Sequence, residues 1–183
     1  VTAVHPLPMP ANRGVARVLV LLLAALAVAL VLGHRIYRTA EIALAGGVIS
    51  LVTSSGVRVV PDRQTVYFGL TTDTPLGLQM TPECTSAFLL VPLIVVAAVM
   101  IALRPRIARR VLFSLGVAAL ALVVVNQLRI LTLVGLVNWL GIDQGYYLGH
   151  TLLGSMVSVI GGAAALVLFV WLATRGPKSE RAA

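Results

Sequence analysis

The sequence predicts an all-α membrane protein: a polytopic bundle of about four transmembrane helices, with short interfacial helices and a small extracytoplasmic β-hairpin loop. Three observations carry this expectation. Of 183 residues, 59% are apolar and 11% charged, with mean hydropathy +1.01, whereas a soluble domain carries roughly a quarter charged residues. Four apolar runs, Val15 to Gly33, Ser86 to Leu103, Val111 to Leu128 and Thr151 to Ala173, approach or reach the roughly 17 to 25 residues needed to cross hydrocarbon. Basic residues sit in short clusters between those runs, so the net charge of +8 reads as membrane topology and not as a nucleic-acid footprint.

Taken in chain order, residues 1–14 form an N-terminal tail, 15–173 a single transmembrane domain and 174–183 a C-terminal tail. After the first span, His34, Arg35 and Arg38 have the character of interfacial anchors. The loop 34–85 holds a shorter apolar stretch, Ile42 to Val52, which fits an interfacial or re-entrant helix. Two β-branched and aromatic runs, Val57 to Val60 and Thr65 to Leu70, flank Pro61-Asp62-Arg63-Gln64 and predict the hairpin. Ile130 to Leu140 is apolar, ends at Gly141 and is too short to span alone. Trp139, Tyr146, Tyr147 and, at the other surface, Trp171 suit interfacial belts.

The densest basic cluster, Arg104, Arg106, Arg109 and Arg110, assigns the connection between the second and third spans to the cytoplasm. Alternation then puts Arg13 and Arg17, and Arg175, Lys178 and Arg181, on the same side. Glu41, Asp62, Asp73, Glu83 and Asp143 fall outside. Both termini are therefore expected in the cytoplasm of a multi-pass plasma-membrane protein. Ala43-Leu44-Ala45 looks like a cleavage box but lies far beyond the first apolar run, which favours an uncleaved anchor.

This topology brings Cys84, Arg129 and His150 to one surface, the extracytoplasmic one, because each adjoins the outer end of a span. A thiolate is nucleophilic, and imidazole can take its proton. Arg129 can stabilise the thiolate against the charge of neighbouring Glu83, hold a developing oxyanion, or clamp a substrate carboxylate. Asn126, one turn from Arg129 on the same helical face, can orient it. His150 begins a small-residue stripe with Gly154, Ser158 and Gly162, which favours close helix packing. Each residue also has a structural alternative: a cysteine as apolar filler, an arginine snorkelling to lipid phosphate, a histidine in a packing hydrogen bond. A single cysteine leaves no internal disulfide, and no clustered ligands suggest a metal or cofactor.

Pro82-Glu83-Cys84-Thr85-Ser86, Asn126-Gln127-Leu128-Arg129-Ile130 and Gly149-His150-Thr151 resemble, in this order and between these spans, the exosortase/archaeosortase family of polytopic membrane cysteine transpeptidases. The resemblance covers about Thr81 to Ala173. It implies that Cys84 is the nucleophile, Arg129 and His150 the essential arginine and histidine, and Asn126 the asparagine of the arginine motif. Ser86 departs from the family's usual glycine two positions after the cysteine, and its side chain is expected to narrow the substrate slot or mark a divergent subgroup. The implied substrates are exported, membrane-anchored proteins with a C-terminal recognition motif, a transmembrane helix and a basic tail.

Other classes fit less well. A quinone-linked disulfide oxidoreductase needs cysteine pairs, and a serine/lysine peptidase needs a lysine near its serine, while the sole lysine is Lys178 in the tail. The alternative is a non-enzymatic accessory protein that binds a partner's transmembrane helix. A transporter ranks third, because the spans contain little polar lining.

Overall fold

A computed structural model describes residues 13–54, 56–71 and 75–175, the side chain of Glu83 excepted. The expectations for residues 1–12, Asp73, Lys178 and Arg181 therefore lie outside the described residues.

The chain is mostly helical. Helices α1 (Arg13–Leu32), α3 (Ala87–Leu103), α4 (Ala108–Leu140) and α6 (Gly154–Thr174) form a bundle, and α2 (His34–Val52) lies beside the upper part of α4. Among the described residues three stretches, Arg13–Leu32, Pro105–Leu140 and Ile142–Thr174, are long and apolar enough to cross a membrane, and α3 is a shorter apolar helix of 17 residues. Many of their apolar side chains face outward, Leu21, Phe113 and Val167 among them. Such a surface suits a lipid solvent, which has no tendency to drive these groups inward.

Two apolar cores stack along α4. The lower one joins Leu23 and Ala27 of α1, Ile94, Ala97 and Ile101 of α3, Val111, Ala118 and Leu122 of α4, and Phe169 of α6. The upper one joins Ile42, Ala45 and Ile49 of α2 and Ile130 and Val134 of α4 with Val66, Phe68 and Met80. Helix α4 enters both because its 33 residues extend about 50 Å at the helical rise.

This length corrects the expected break near Leu128, because Ile130 to Leu140 is no separate piece but the upper third of one helix. Nothing between Asn126 and Ile130 interrupts a helix, neither glycine nor proline. Hydropathy alone treated the polar residues there as a membrane boundary. The expected helix at Ile42 to Val52 likewise begins earlier, at His34, and buries the stripe Arg38, Glu41, Ile42, Ala45 and Ile49. Arg38 is thus no surface anchor: its Nη1 donates to the Met80 carbonyl at 3.2 Å.

The expected hairpin is part of a three-stranded antiparallel sheet. Strands β1 (Val57–Val60), β2 (Thr65–Phe68) and β3 (Leu76–Gln79) lie in sequence order, with Val57 opposite Phe68 and Phe68 opposite Leu76. The turn at Pro61–Arg63 closes through Gln64 in the left-handed region at φ 50°. β2 stops at Phe68 and not at Leu70, and β3, only four residues with a glycine inside, carried too little β character to be read as a strand. After Gly141, whose φ of 83° ends α4, a short helix α5 (Ile142–Tyr146) and a π-helical segment (Tyr147–Leu153) lead without a break into α6. His150 therefore lies within a helix that begins at Ile142, not just ahead of one that begins at Thr151.

Candidate active site

A cavity of about 610 Å³ lies between α3, α4 and α6. Cys84, Ser86, Asn126, Arg129 and His150 all line it, so residues from three parts of the chain share one space. Cys84 closes a tight 3₁₀ turn, Pro82–Cys84, in which its N–H donates to the Thr81 carbonyl at 3.0 Å. The thiol is half-buried and has two donors: Thr81 Oγ1 at 3.3 Å and Arg129 Nη2 at 3.7 Å. Both contacts direct a polar hydrogen at the sulfur.

Arg129 is held by two features of the helix opposite. Its Nη1 donates to Ser158 Oγ at 3.0 Å, and Ser158 Oγ in turn donates to the Gly154 carbonyl at 2.9 Å. Gly154 leaves the room, since a Cβ there would stand 3.0 Å from Arg129 Nε. The small-residue stripe thus faces α4 at Gly154 and Ser158, and faces Leu89 of α3 at Gly162. His150 stacks on Tyr146, ring centroids 5.1 Å apart and 16° from parallel. Among the described residues no hydrogen bond joins His150 to Cys84. The π-helical segment offsets the ring from α-helical register, a distortion common at functional sites.

The residue that organises this site is one the sequence reading passed over. Glu41, 3% exposed, accepts hydrogen bonds from Thr85 Oγ1, from Ser86 Oγ at 2.6 Å, from Asn126 Nδ2 at 3.1 Å, and from the Ser86 N–H at 3.2 and 3.3 Å. Four donors converge on one carboxyl group, which serves them as acceptor only. The hydroxyl proton of Ser86 being engaged by Glu41, Tyr37 Oη is the donor in the 2.7 Å contact between Tyr37 and Ser86. Burial raises the pKa of Tyr37 above its ordinary value, and the charge of Glu41 adds to this.

Two expected roles change accordingly. Asn126 does not orient Arg129 directly, because its amide donates to Glu41 and no bond between the two is present among the described residues. Ser86 lines the cavity, but its hydroxyl is committed to Glu41 and Tyr37. The available signals for Glu41 were its place on the buried stripe of α2 and its charge within an apolar stretch. Thr81 gave none. Among the described residues no group of three or more His, Cys, Asp or Glu stands close enough to hold a metal ion.

The cavity runs from Arg129 down to Leu122, about 10 Å at the helical rise. Phe88 of α3 and Val159 of α6 line it and are 75% and 72% exposed, so the cavity reaches the surface beside these two helices. Below it α3 and α6 approach one another where Leu89 meets Gly162.

Glu41→Gln tests the network with almost no change of shape. It turns an NH₂ donor toward groups that are all donors, which is expected to cost about 1–3 kcal/mol. The expected outcome is a lower unfolding midpoint in detergent and faster limited proteolysis around Thr81 to Ser86. An unchanged midpoint and cleavage pattern would remove Glu41 from its organising role.

No family model, no curated protein and no solved structure matches the chain. Its chemistry is therefore read from the cavity itself.

Proposed function

We propose that this chain is a membrane-embedded cysteine peptidase or transpeptidase, which cleaves C-terminal sorting signals of exported, membrane-anchored proteins through a thioester on Cys84. The observation that carries this reading is the donation from Arg129 to the Cys84 sulfur, in a cavity that His150 also lines. The ordered resemblance to the exosortase/archaeosortase family, on Cys84, Arg129 and His150, supports the same roles.

In this mechanism His150 accepts the thiol proton and the Cys84 sulfur attacks the scissile carbonyl. The oxygen that becomes negative lies against the Arg129 guanidinium, a donor fixed in advance by Ser158. Collapse expels the amine, which takes the proton from His150, and leaves a thioester. An acceptor amine, or water, then gives its proton to His150, attacks the thioester and releases the thiol. An opening beside exposed apolar side chains of α3 and α6 suits a substrate confined by its own helix to the same bilayer, which raises its effective concentration and fixes the height of the scissile bond.

The reading includes four membrane crossings, with α3 as the second, and a cytoplasmic α3–α4 connection carrying Arg104, Arg106, Arg109 and Arg110. That arrangement puts Cys84 at the extracytoplasmic face and both termini in the cytoplasm. The alternative, an accessory protein that binds a partner's helix, draws on the bond from Arg129 to Ser158, which ties α4 to α6 whether or not chemistry occurs.

Three outcomes separate these readings. A membrane-impermeant maleimide added to intact cells is expected to label Cys84; labelling only in inverted vesicles would reverse the orientation. Cys84→Ala is expected to insert and fold, since little packing is lost, yet leave substrate uncleaved; retained processing at matched expression favours the accessory role. Arg129→Lys keeps a cation on a long stem but loses the paired donors of the guanidinium. Its cleavage rate is expected to fall about 100- to 1000-fold, whereas a wild-type rate would leave Arg129 only a structural part.

A further inference from the structure

The sheet beside the site ends in an open edge. Met80 donates its N–H to the Gln64 carbonyl at 2.9 Å, and the ladder continues with Thr65 opposite Gln79, Val66 opposite Leu78 and Tyr67 opposite Gly77. Antiparallel pairs alternate between bonded and unbonded positions. Met80 being bonded to β2, Leu78 and Leu76 are bonded as well, and Gly77 and Gln79 turn their N–H and C=O groups away from β2. Both residues are exposed, and among the described residues no fourth strand pairs with β3. Such an edge is a ready template for another extended chain.

A groove runs along that edge and ends at the thiol. A cavity of about 250 Å³ separates β3 from the top of α4 and α5, walled by Leu76, Leu78, Val134, Val137 and Ile142, with no charged side chain among the described residues that line it. A smaller cavity of about 40 Å³ shares Leu78 and Thr81 with it and is also lined by Cys84, Arg129 and His150. These last three also line the larger cavity between α3 and α6. The three cavities share lining residues in turn, from the strand edge past the nucleophile to the exposed apolar side chains of Phe88 and Val159.

We infer that the outer edge of β3 is a substrate subsite, where an extended, uncharged peptide segment pairs with the main chain of Gly77 and Gln79 and sets alternate side chains into the apolar groove. This rests on the peptidase reading. With the acyl part of the substrate in this groove and its anchoring helix between α3 and α6, the segment runs parallel to β3, toward Cys84. Main-chain pairing supplies affinity without demanding sequence, and the groove selects side chains at every second position. Gln79 stands only five residues before Cys84, so the strand that holds the peptide is joined by a short connection to the residue that attacks it.

The test reads labelling of Cys84 by mass spectrometry in the purified full chain. The probe is an acetylated tetrapeptide of alternating valine and alanine ending in a chloromethyl ketone, which alkylates the thiol with loss of chloride. Two variants are N-methylated at one or the other alternate set of amides, and chloroacetone is the non-peptide control; all rates are taken relative to glutathione. The parent peptide is expected to label Cys84 roughly tenfold faster than chloroacetone, as two net main-chain hydrogen bonds allow. One N-methylated variant is expected to fall to the chloroacetone rate. Gln79→Pro deletes an outward N–H without touching the β2 ladder and is expected to produce the same loss, whereas Gln79→Ala, which removes only the side chain, keeps the parent rate. A parent peptide no faster than chloroacetone, or two N-methylated variants as fast as the parent, would overturn the inference, and those arms use the unaltered protein. Labelling needs the thiol and the groove but no turnover. Retained processing by Cys84→Ala would consequently defeat the peptidase reading without changing this result, and edge-independent labelling beside Cys84-dependent processing would defeat the subsite alone.

Discussion

The arrangement of the site depends on one buried carboxyl group. Glu41 sits on α2, binds both residues that follow Cys84, and reaches Asn126 on α4. These three segments are separated by 40 or more residues in the chain, and without a shared acceptor their donors would be buried and unpaired at the junction of the two cores. A buried donor left unsatisfied costs about 1–3 kcal/mol. The same group that removes that cost also fixes the position of the Cys84 turn relative to the helix that carries Arg129. Stability and site geometry are here one interaction.

Around Glu41 the molecule divides into a polar layer between two apolar cores. Above it α2, the sheet and the upper part of α4 exclude water; below it the bundle is lined by Ala97, Ala118, Phe169 and their neighbours. The layer is not fully satisfied: Arg38 Nε and both amide atoms of Gln127 are buried without a hydrogen-bond partner among the described residues. Groups of this kind are rare in packed interiors, and their position at the level of the cavity distinguishes this layer from a bundle optimised for stability alone. The long α4 makes the layer possible, since one rigid rod carries Leu122 in the lower core, Asn126 and Arg129 at the layer, and Val134 in the upper core.

The helices were legible because hydropathy over a span-length window is a strong, local signal, and so were the residues Cys84, Arg129 and His150, whose types are uncommon in apolar sequence. Where α4 ended was not legible. A polar cluster such as Asn126-Gln127-Leu128-Arg129 has the same composition whether it meets headgroups or partners inside the protein, and only the fold supplies Glu41 and Ser158 as those partners. β3 was missed for a related reason: four residues with a central glycine have little intrinsic preference, and the pairing with β2 that makes them a strand is tertiary. Glu41 itself was visible as a charge in the wrong place, but its donors are a serine, a threonine and an asparagine far along the chain, which no spacing rule connects.

The separation of duties among the polar residues follows from where each can move. The Cys84 turn is tied to α2 through Thr85 and Ser86, and Arg129 is tied to α6 through Ser158, so both have fixed partners on opposite sides of the cavity. His150 is held by stacking on Tyr146, which constrains the plane of its ring but leaves its nitrogens without a fixed protein acceptor among the described residues. A proton carrier must face the thiol in one step and a leaving or incoming amine in the next, whereas an oxyanion donor gains by not reorganising at all. In the proposed mechanism a rigid arginine and a stacked, less encumbered imidazole would meet these opposite requirements.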